Sequence, residues 1–187
     1  MIKAGQIEKG MCLEIKGDPF LVVEREFVNP GKGAAFAKLK LKNLRTGQVL
    51  KPTMKTSETA EEIHVEEKDC QYLYDDGEFY HFMDNESYEQ FTFPVEGFEE
   101  KKFFMKEGET YPVVKWESMH IDIKIPYKVV YEVTEASDGV KGDTVTGATK
   151  LVTIETGLRV KVPLFIKQGE KIMINTETKE YVERVNS

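Results

Sequence analysis

The chain has 187 residues, 40% of them hydrophobic and 11% aromatic, with 26 Lys/Arg against 33 Asp/Glu and a net charge of −7. This composition belongs to folded globular proteins and excludes a disordered chain. No apolar run approaches the ~20 residues needed to span a membrane. The charge is unevenly placed. Residues 1–57 carry 11 Lys/Arg against 5 Asp/Glu, net +6, and residues 1–64 carry 11 against 8, net +3. Residues 65–128 carry 7 against 16, net −9, and residues 129–187 carry 8 against 9, net −1. Such a chain can meet RNA at its basic end while its acidic middle repels non-specific polyanions. The start, Met1-Ile2-Lys3-Ala4-Gly5, has no apolar signal core. Cys12 and Cys70 are too few and too far apart for a metal site, so a cytoplasmic, reducing address with ordinary thiols is expected.

Strand signals begin at residues 11–15, 20–28, 34–44 and 49–54, the last after the turn Arg45-Thr46-Gly47-Gln48. Residues 34–44 alternate, with Ala35, Ala37, Leu39 and Leu41 on one face and Phe36, Lys38, Lys40 and Lys42 on the other. Between the second and third runs lies Asn29-Pro30-Gly31-Lys32-Gly33, which predicts a β-hairpin. Pro30 suits the first corner of its turn and Gly31 the positive φ of the second. Gly33 leaves the Lys32 ammonium free at the tip of a basic arm. This is not a phosphate-cradling P-loop, because no Ser or Thr follows Lys32 and a strand rather than a helix comes next. The polar residues 57–62 read as a short helical turn or a connector, with a boundary near His64.

A second β-run covers residues 64–68, 70–74 and 79–83, with Asp75-Asp76-Gly77-Glu78 as a hairpin turn. Residues 98–105 space apolar side chains at helical intervals before Gly108, which predicts one short helix. Strands resume at 111–116 and 119–125, and Pro126 marks an edge or an end. A third segment shows strand runs at 129–133, 151–154, 158–163, 164–166, 171–175 and 181–185. About five short strands in some 60 residues fit a small barrel such as an OB-fold. The expected domains are 1–64, 65–128 and 129–187.

Little here resembles an active site. His64, His81 and His120 lack a ligand spacing, the pairs Asp75-Asp76 and Glu99-Glu100 read as solvated turn charges, and no Gly-x-Ser-x-Gly motif occurs. Phe103, Phe104 and Trp116 read as core. Tyr181 and Arg184 are open to either an RNA contact or a strand-end role.

Three stretches together resemble one family over the full length of the chain. They are Asn29-Pro30-Gly31-Lys32-Gly33-Ala34-Ala35-Phe36 continuing into Lys40-Leu41-Lys42-Asn43-Leu44-Arg45-Thr46-Gly47; Tyr80-His81-Phe82-Met83-Asp84 with Tyr88-Glu89-Gln90; and Gly142-Asp143-Thr144 with Thr156-Gly157-Leu158-Arg159-Val160-Lys161-Val162-Pro163-Leu164-Phe165-Ile166. The chain is similar to bacterial translation elongation factor P. The resemblance implies an all-β protein of three small barrels, an SH3-like (KOW-type) domain followed by two OB-folds, in an L-shaped, tRNA-like arrangement. It implies binding to the 70S ribosome between the P and E tRNA sites, without enzymatic turnover. The hairpin then reaches the acceptor end of P-site peptidyl-tRNA and relieves stalling at consecutive prolines. Lys32 matches the position that a lysine-modifying enzyme extends in many members, with Pro30, Gly31 and Gly33 as its supporting loop. Lys38, Lys40 and Lys42 are expected to hold RNA backbone phosphates, and Gly142, Asp143 and Thr144 to face the small subunit. A monomer with no cofactor, metal or membrane association is expected.

Two departures stand out: Asn29 where a lysine commonly precedes Pro-Gly, and Leu151-Val152 where Pro-Ala is more usual. They leave a divergent paralogue open, as the OB-folds leave open a general single-stranded nucleic-acid binder.

Overall fold

The computed structural model describes residues 1–137 and 147–186, and the expected loop Gly142-Asp143-Thr144 lies outside the described residues. The described residues form three antiparallel sheets with no α-helix. The first sheet contains β1 (Ile2–Lys3), β2 (Cys12–Ile15), β3 (Asp18–Val28), β4 (Phe36–Asn43), β5 (Val49–Leu50), β6 (Thr53–Lys55) and β7 (Thr59–Ile63). Its order is β1-β7-β2-β3-β4-β5, with β6 also paired to β4. The alternation of residues 36–43 is realised: Ala37, Leu39 and Leu41 are buried, while Lys38 and Lys42 are exposed. These side chains join Ala4, Ile7, Leu13, Phe20 and Val22 in one core. Each large apolar side chain buried there contributes about 1.5–3 kcal/mol before entropy is counted.

The second sheet runs β10-β9-β8-β11-β12, from β8 (Glu66–Asp75), β9 (Phe79–Asp84), β10 (Gln90–Pro94), β11 (Thr110–Trp116) and β12 (Met119–Ile123). The third runs β15-β14-β13-β16-β17, from β13 (Lys128–Ala136), β14 (Thr149–Ile154), β15 (Arg159–Pro163), β16 (Lys171–Asn175) and β17 (Glu180–Val185). In the third sheet β15 also lies against β17, which curls its two ends together. The chain gathers into two compact units, Met1–Lys68 with Val113–Ile123, and Asp69–Pro112 with Lys124–Ser187.

Four local expectations are corrected. The polar residues 57–62 do not form a helical turn: β7 is a strand between β1 and β2, with Ala60 opposite Ile2 and Ile63 opposite Cys12. Tertiary pairing overrides a sequence that lacks strand propensity. The run 49–54 is broken into two strands at Lys51-Pro52, because proline has no N–H for a ladder; its carbonyl instead accepts from Leu39 N–H at 2.9 Å. Residues 164–166 leave the strand and turn.

The predicted helix over 98–105 is only a 3-10 turn, Glu99–Phe103, without a side-chain cap. So short a segment cannot offset the cost of helix nucleation. Its exit is held by the third sheet instead. Phe104 sits in that sheet's core with Tyr131, Val133, Val152 and Ile172, and Thr156 Oγ1 donates to the Phe103 carbonyl at 2.6 Å. Lys106 follows, donating to the Val130 carbonyl at 2.7 Å and pairing with Glu155 at 3.1 Å.

Candidate functional site

The hairpin β3–β4 begins in the core and ends in solvent. Val28 opposite Phe36 is its last register pair, which leaves Asn29 to Ala35 as the connecting loop. The arm is wider than a lone hairpin. β6 pairs with the other edge of β4, with Lys55 opposite Phe36 and Thr53 opposite Lys38. Thr56 N–H extends that edge by donating to the Ala35 carbonyl at 3.0 Å. Three strands therefore stiffen the approach to the tip.

Lys32 is exposed and makes no ion pair among the described residues. The loop reaches its shape differently from the expectation. Gly33, at φ 110°, takes the positive-φ position, whereas Gly31 lies outside the left-handed region. A Cβ on Gly31 would meet nothing within 4 Å, and one on Gly33 would lie 4.0 Å from Pro30 Cγ. The backbone thus needs glycine at 33 and not at 31.

Lys38 and Lys40 lie on the outer face of β4, but each already has a carboxylate across the strand pair. Lys40 Nζ is 2.7 Å from Glu24 and Lys38 Nζ is 3.6 Å from Glu26. Lys40 holds the Glu24 carboxyl below the usual carboxylate range, first by its hydrogen bond and then by its charge, with smaller contributions from Lys51 and Lys9. Lys42 is exposed and has no ion pair among the described residues. An open groove of about 450 Å³ runs past Lys38, Lys40, Lys51 and Glu24. Lys51 was not legible as part of this face. It lines the groove from the connection between β5 and β6, which no local periodicity marks.

The far end of β4 is anchored by Asn43, the buried polar residue among those described. Its Oδ1 accepts from the N–H groups of Arg45 and Thr46 at 2.8 and 3.1 Å, and its Nδ2 donates to Asp18 at 3.3 Å. Arg45 closes the knot on Asp18 at 2.9 Å. The Asn43-Leu44-Arg45-Thr46 stretch therefore sets where the hairpin starts rather than touching its tip.

The other candidates lie elsewhere. His81 is 2.7 Å from Asp76 and stacks on Tyr74 at 4.2 Å. That contact and the Phe79 and Glu78 N–H groups hold the Asp76 carboxyl down at about 2. Asp75 accepts from Gly77 N–H in the same turn. Arg184 lies over the Phe165 ring and pairs with Glu170. Both cysteines are buried, and among the described residues no group of three or more His, Cys, Asp or Glu is placed to hold a metal ion. No described helix is long and apolar enough to cross a membrane.

Three family matches cover the chain in order. Residues 3–60 match the elongation factor P KOW-like domain, 65–123 the elongation factor P OB domain, and 129–184 the elongation factor P C-terminal domain. Over 187 residues and the whole of both chains, the sequence is 55% identical to elongation factor P of Treponema denticola. It is 56% identical over 186 residues, again the whole of both chains, to that of Treponema pallidum. It is 53% identical to that of Borrelia hermsii, covering 98% of this chain and 97% of the other. Among solved structures, the eukaryotic translation initiation factor 5A from Methanococcus jannaschii aligns with a TM-score of 0.54 and 22% identity, over 66% of this chain and 91% of that one, a likeness of fold alone. With matched domains along its whole length and relatives more than half identical, the chain belongs to the elongation factor P family and is a translation elongation factor.

Proposed function

We propose that the protein binds the 70S ribosome between the P and E tRNA sites and presents Lys32 to the acceptor end of P-site peptidyl-tRNA. It thereby restores peptide-bond formation at consecutive prolines. The observation that carries this reading is an exposed lysine without an ion pair among the described residues, at the end of a three-stranded arm.

Proline's ring locks φ and restricts the geometries in which it can react. A factor that holds the tRNA end near attack geometry needs no covalent step of its own, because well-oriented reactants gain up to about 7–11 kcal/mol in effective concentration. A cation on a stiff arm suits that task, and an enzyme that lengthens Lys32 would add reach and donors. Lys42, with Lys38 and Lys40 after exchange of their carboxylate partners, would grip backbone phosphates as contacts that position without reading sequence. The Gly142-Asp143-Thr144 loop would face the small subunit. Domain boundaries near residues 64 and 128, a monomeric state and a cytoplasmic location complete the proposal.

The test is synthesis of a polyproline-containing peptide in a reconstituted translation system. Lys32→Ala should lose the stimulation while keeping the melting temperature of the parent. Full stimulation by that variant overturns the proposal. Tight, steeply salt-dependent binding to free oligonucleotides would mark a general single-stranded nucleic-acid binder instead.

A further inference from the structure

The strand that carries Lys32 outward changes faces before it reaches the tip. In β3 Val22 opposes Leu41 and Glu24 opposes Lys40, so Val23 is the extra residue of a β-bulge. Beyond it, Arg25 opposes Leu39 and Phe27 opposes Ala37. Directly opposed residues share a face, and Leu39 and Ala37 are buried. Arg25 and Phe27 therefore occupy the core-side face of the arm at the point where the core runs out. Phe27 is 48% exposed there, with the Arg25 guanidinium 5.6 Å from its ring centroid.

Arg25 spends its charge on the backbone. Its Nη2 donates to the Gly5 carbonyl at 3.0 Å, in the 3-10 turn Ala4–Gln6, which lies against β4 and β6. Gly5 N–H donates to the Thr56 carbonyl at 3.4 Å, and Thr56 N–H donates to the Ala35 carbonyl at 3.0 Å. Three hydrogen bonds outside the β3–β4 ladder thus join Arg25, before the tip, to Ala35, after it. The link through Gly5 is tight, since a Cβ there would sit 3.3 Å from Thr56 Cβ.

We propose that Arg25 is a positioning residue for Lys32, closing a brace of Arg25, Gly5, Thr56 and Ala35 that sets the direction of the tip. This rests on the reading of Lys32 as the functional group. Near-attack geometry is unforgiving, and a displacement of about 1 Å costs on the order of a hundredfold in rate. β6 already holds the β4 side of the arm; the brace ties β3 to that same edge through Gly5 and Thr56.

The experiment uses the full-length chain in the same polyproline synthesis, with stimulation measured against factor concentration. Arg25→Met keeps the aliphatic stem and removes the donors. It should lower maximal stimulation about tenfold while leaving the half-saturating concentration unchanged, because orientation rather than ribosome binding is lost. Arg25→Lys, which retains a cationic donor toward Gly5, should recover most of the maximum. A nitroxide on Ala34→Cys should become more mobile in the Arg25→Met background, and Gly5→Ala should loosen the tip in the same way from the other side. Wild-type stimulation by Arg25→Met, or an unchanged tip spectrum in both variants, overturns the inference. Lys32→Ala is run in parallel. If it retains full stimulation the reading of Lys32 fails, while the tip spectrum still reports on the brace alone.

Discussion

The Tyr131 hydroxyl donates to the Phe104 carbonyl at 2.8 Å, and both side chains lie in the core of the third sheet. A residue from the stretch before β11 thus completes a core built mainly from β13 to β16. Phe104→Ala should cost about 3–5 kcal/mol through the cavity it leaves. Tyr131→Phe should cost about 1 kcal/mol through the unpaired carbonyl. Chemical denaturation of the full chain measures both, and a Phe104→Ala loss no larger than that of Tyr131→Phe would contradict the packing role.

Burial raises the Tyr72, Tyr80, Tyr111 and Tyr131 phenols above their ordinary value, Tyr80 to about 12. A group whose pKa is raised by folding stabilises the fold fully below the unfolded value of about 10 and loses that contribution as pH rises through the folded value. The fold should therefore lose stability as pH rises above about 10, its melting temperature falling as these four buried tyrosines ionise. Ionisation of these four buried tyrosines near pH 10 while the fold persists would refute this.

Asp76 carries the opposite sign. Its carboxyl is held at about 2, first by His81 and then by the N–H groups of Phe79 and Glu78. A depressed carboxyl stabilises the fold above its unfolded pKa of about 3.9 and loses that contribution as pH falls toward the folded value. Melting temperature should fall between about pH 4 and 2, less steeply for Asp76→Asn than for the parent. Identical slopes would show that the turn does not depend on this charge.

Gly31 and Gly33 separate fold from partner. Gly33→Ala forces a side chain into φ 110° and should cost about 1–3 kcal/mol or reshape the loop. Gly31→Ala meets open space and should leave the melting temperature unchanged. If it nevertheless lowers polyproline stimulation, the small residue serves whatever approaches the tip. Equal thermal loss in both variants would argue against the distinction.

The pairs Lys40–Glu24 and Lys38–Glu26 are exposed, and pairs of this kind add little to stability. Glu24→Gln and Glu26→Gln should leave the melting temperature nearly unchanged while strengthening ribosome binding and steepening its salt dependence, as each freed lysine displaces counterions from a phosphate. Unaltered salt dependence in both variants would remove these lysines from the RNA-facing set.

Much of this protein was legible locally. The alternation expected over residues 34–44 and realised over 36–43, the turn at Asp76-Gly77, and the plan of about five short strands in residues 129–187 follow from side-chain period and turn chemistry, which depend on neighbours in sequence. The exposed position of Lys32 was legible for the same reason, since a Pro/Gly loop between alternating runs has no core to enter. What only the tertiary structure decided are the features made by distant partners. Residues 59–63 are a strand because β1 and β2 flank them, although their composition is polar. Phe104 leaves the 3-10 turn Glu99–Phe103 and enters the core of the third sheet, a partner remote in sequence. Arg25 meets Gly5 because a single extra residue at Val23 turns the strand over. Periodicity records which face a residue takes, but it does not record which remote backbone group waits on that face.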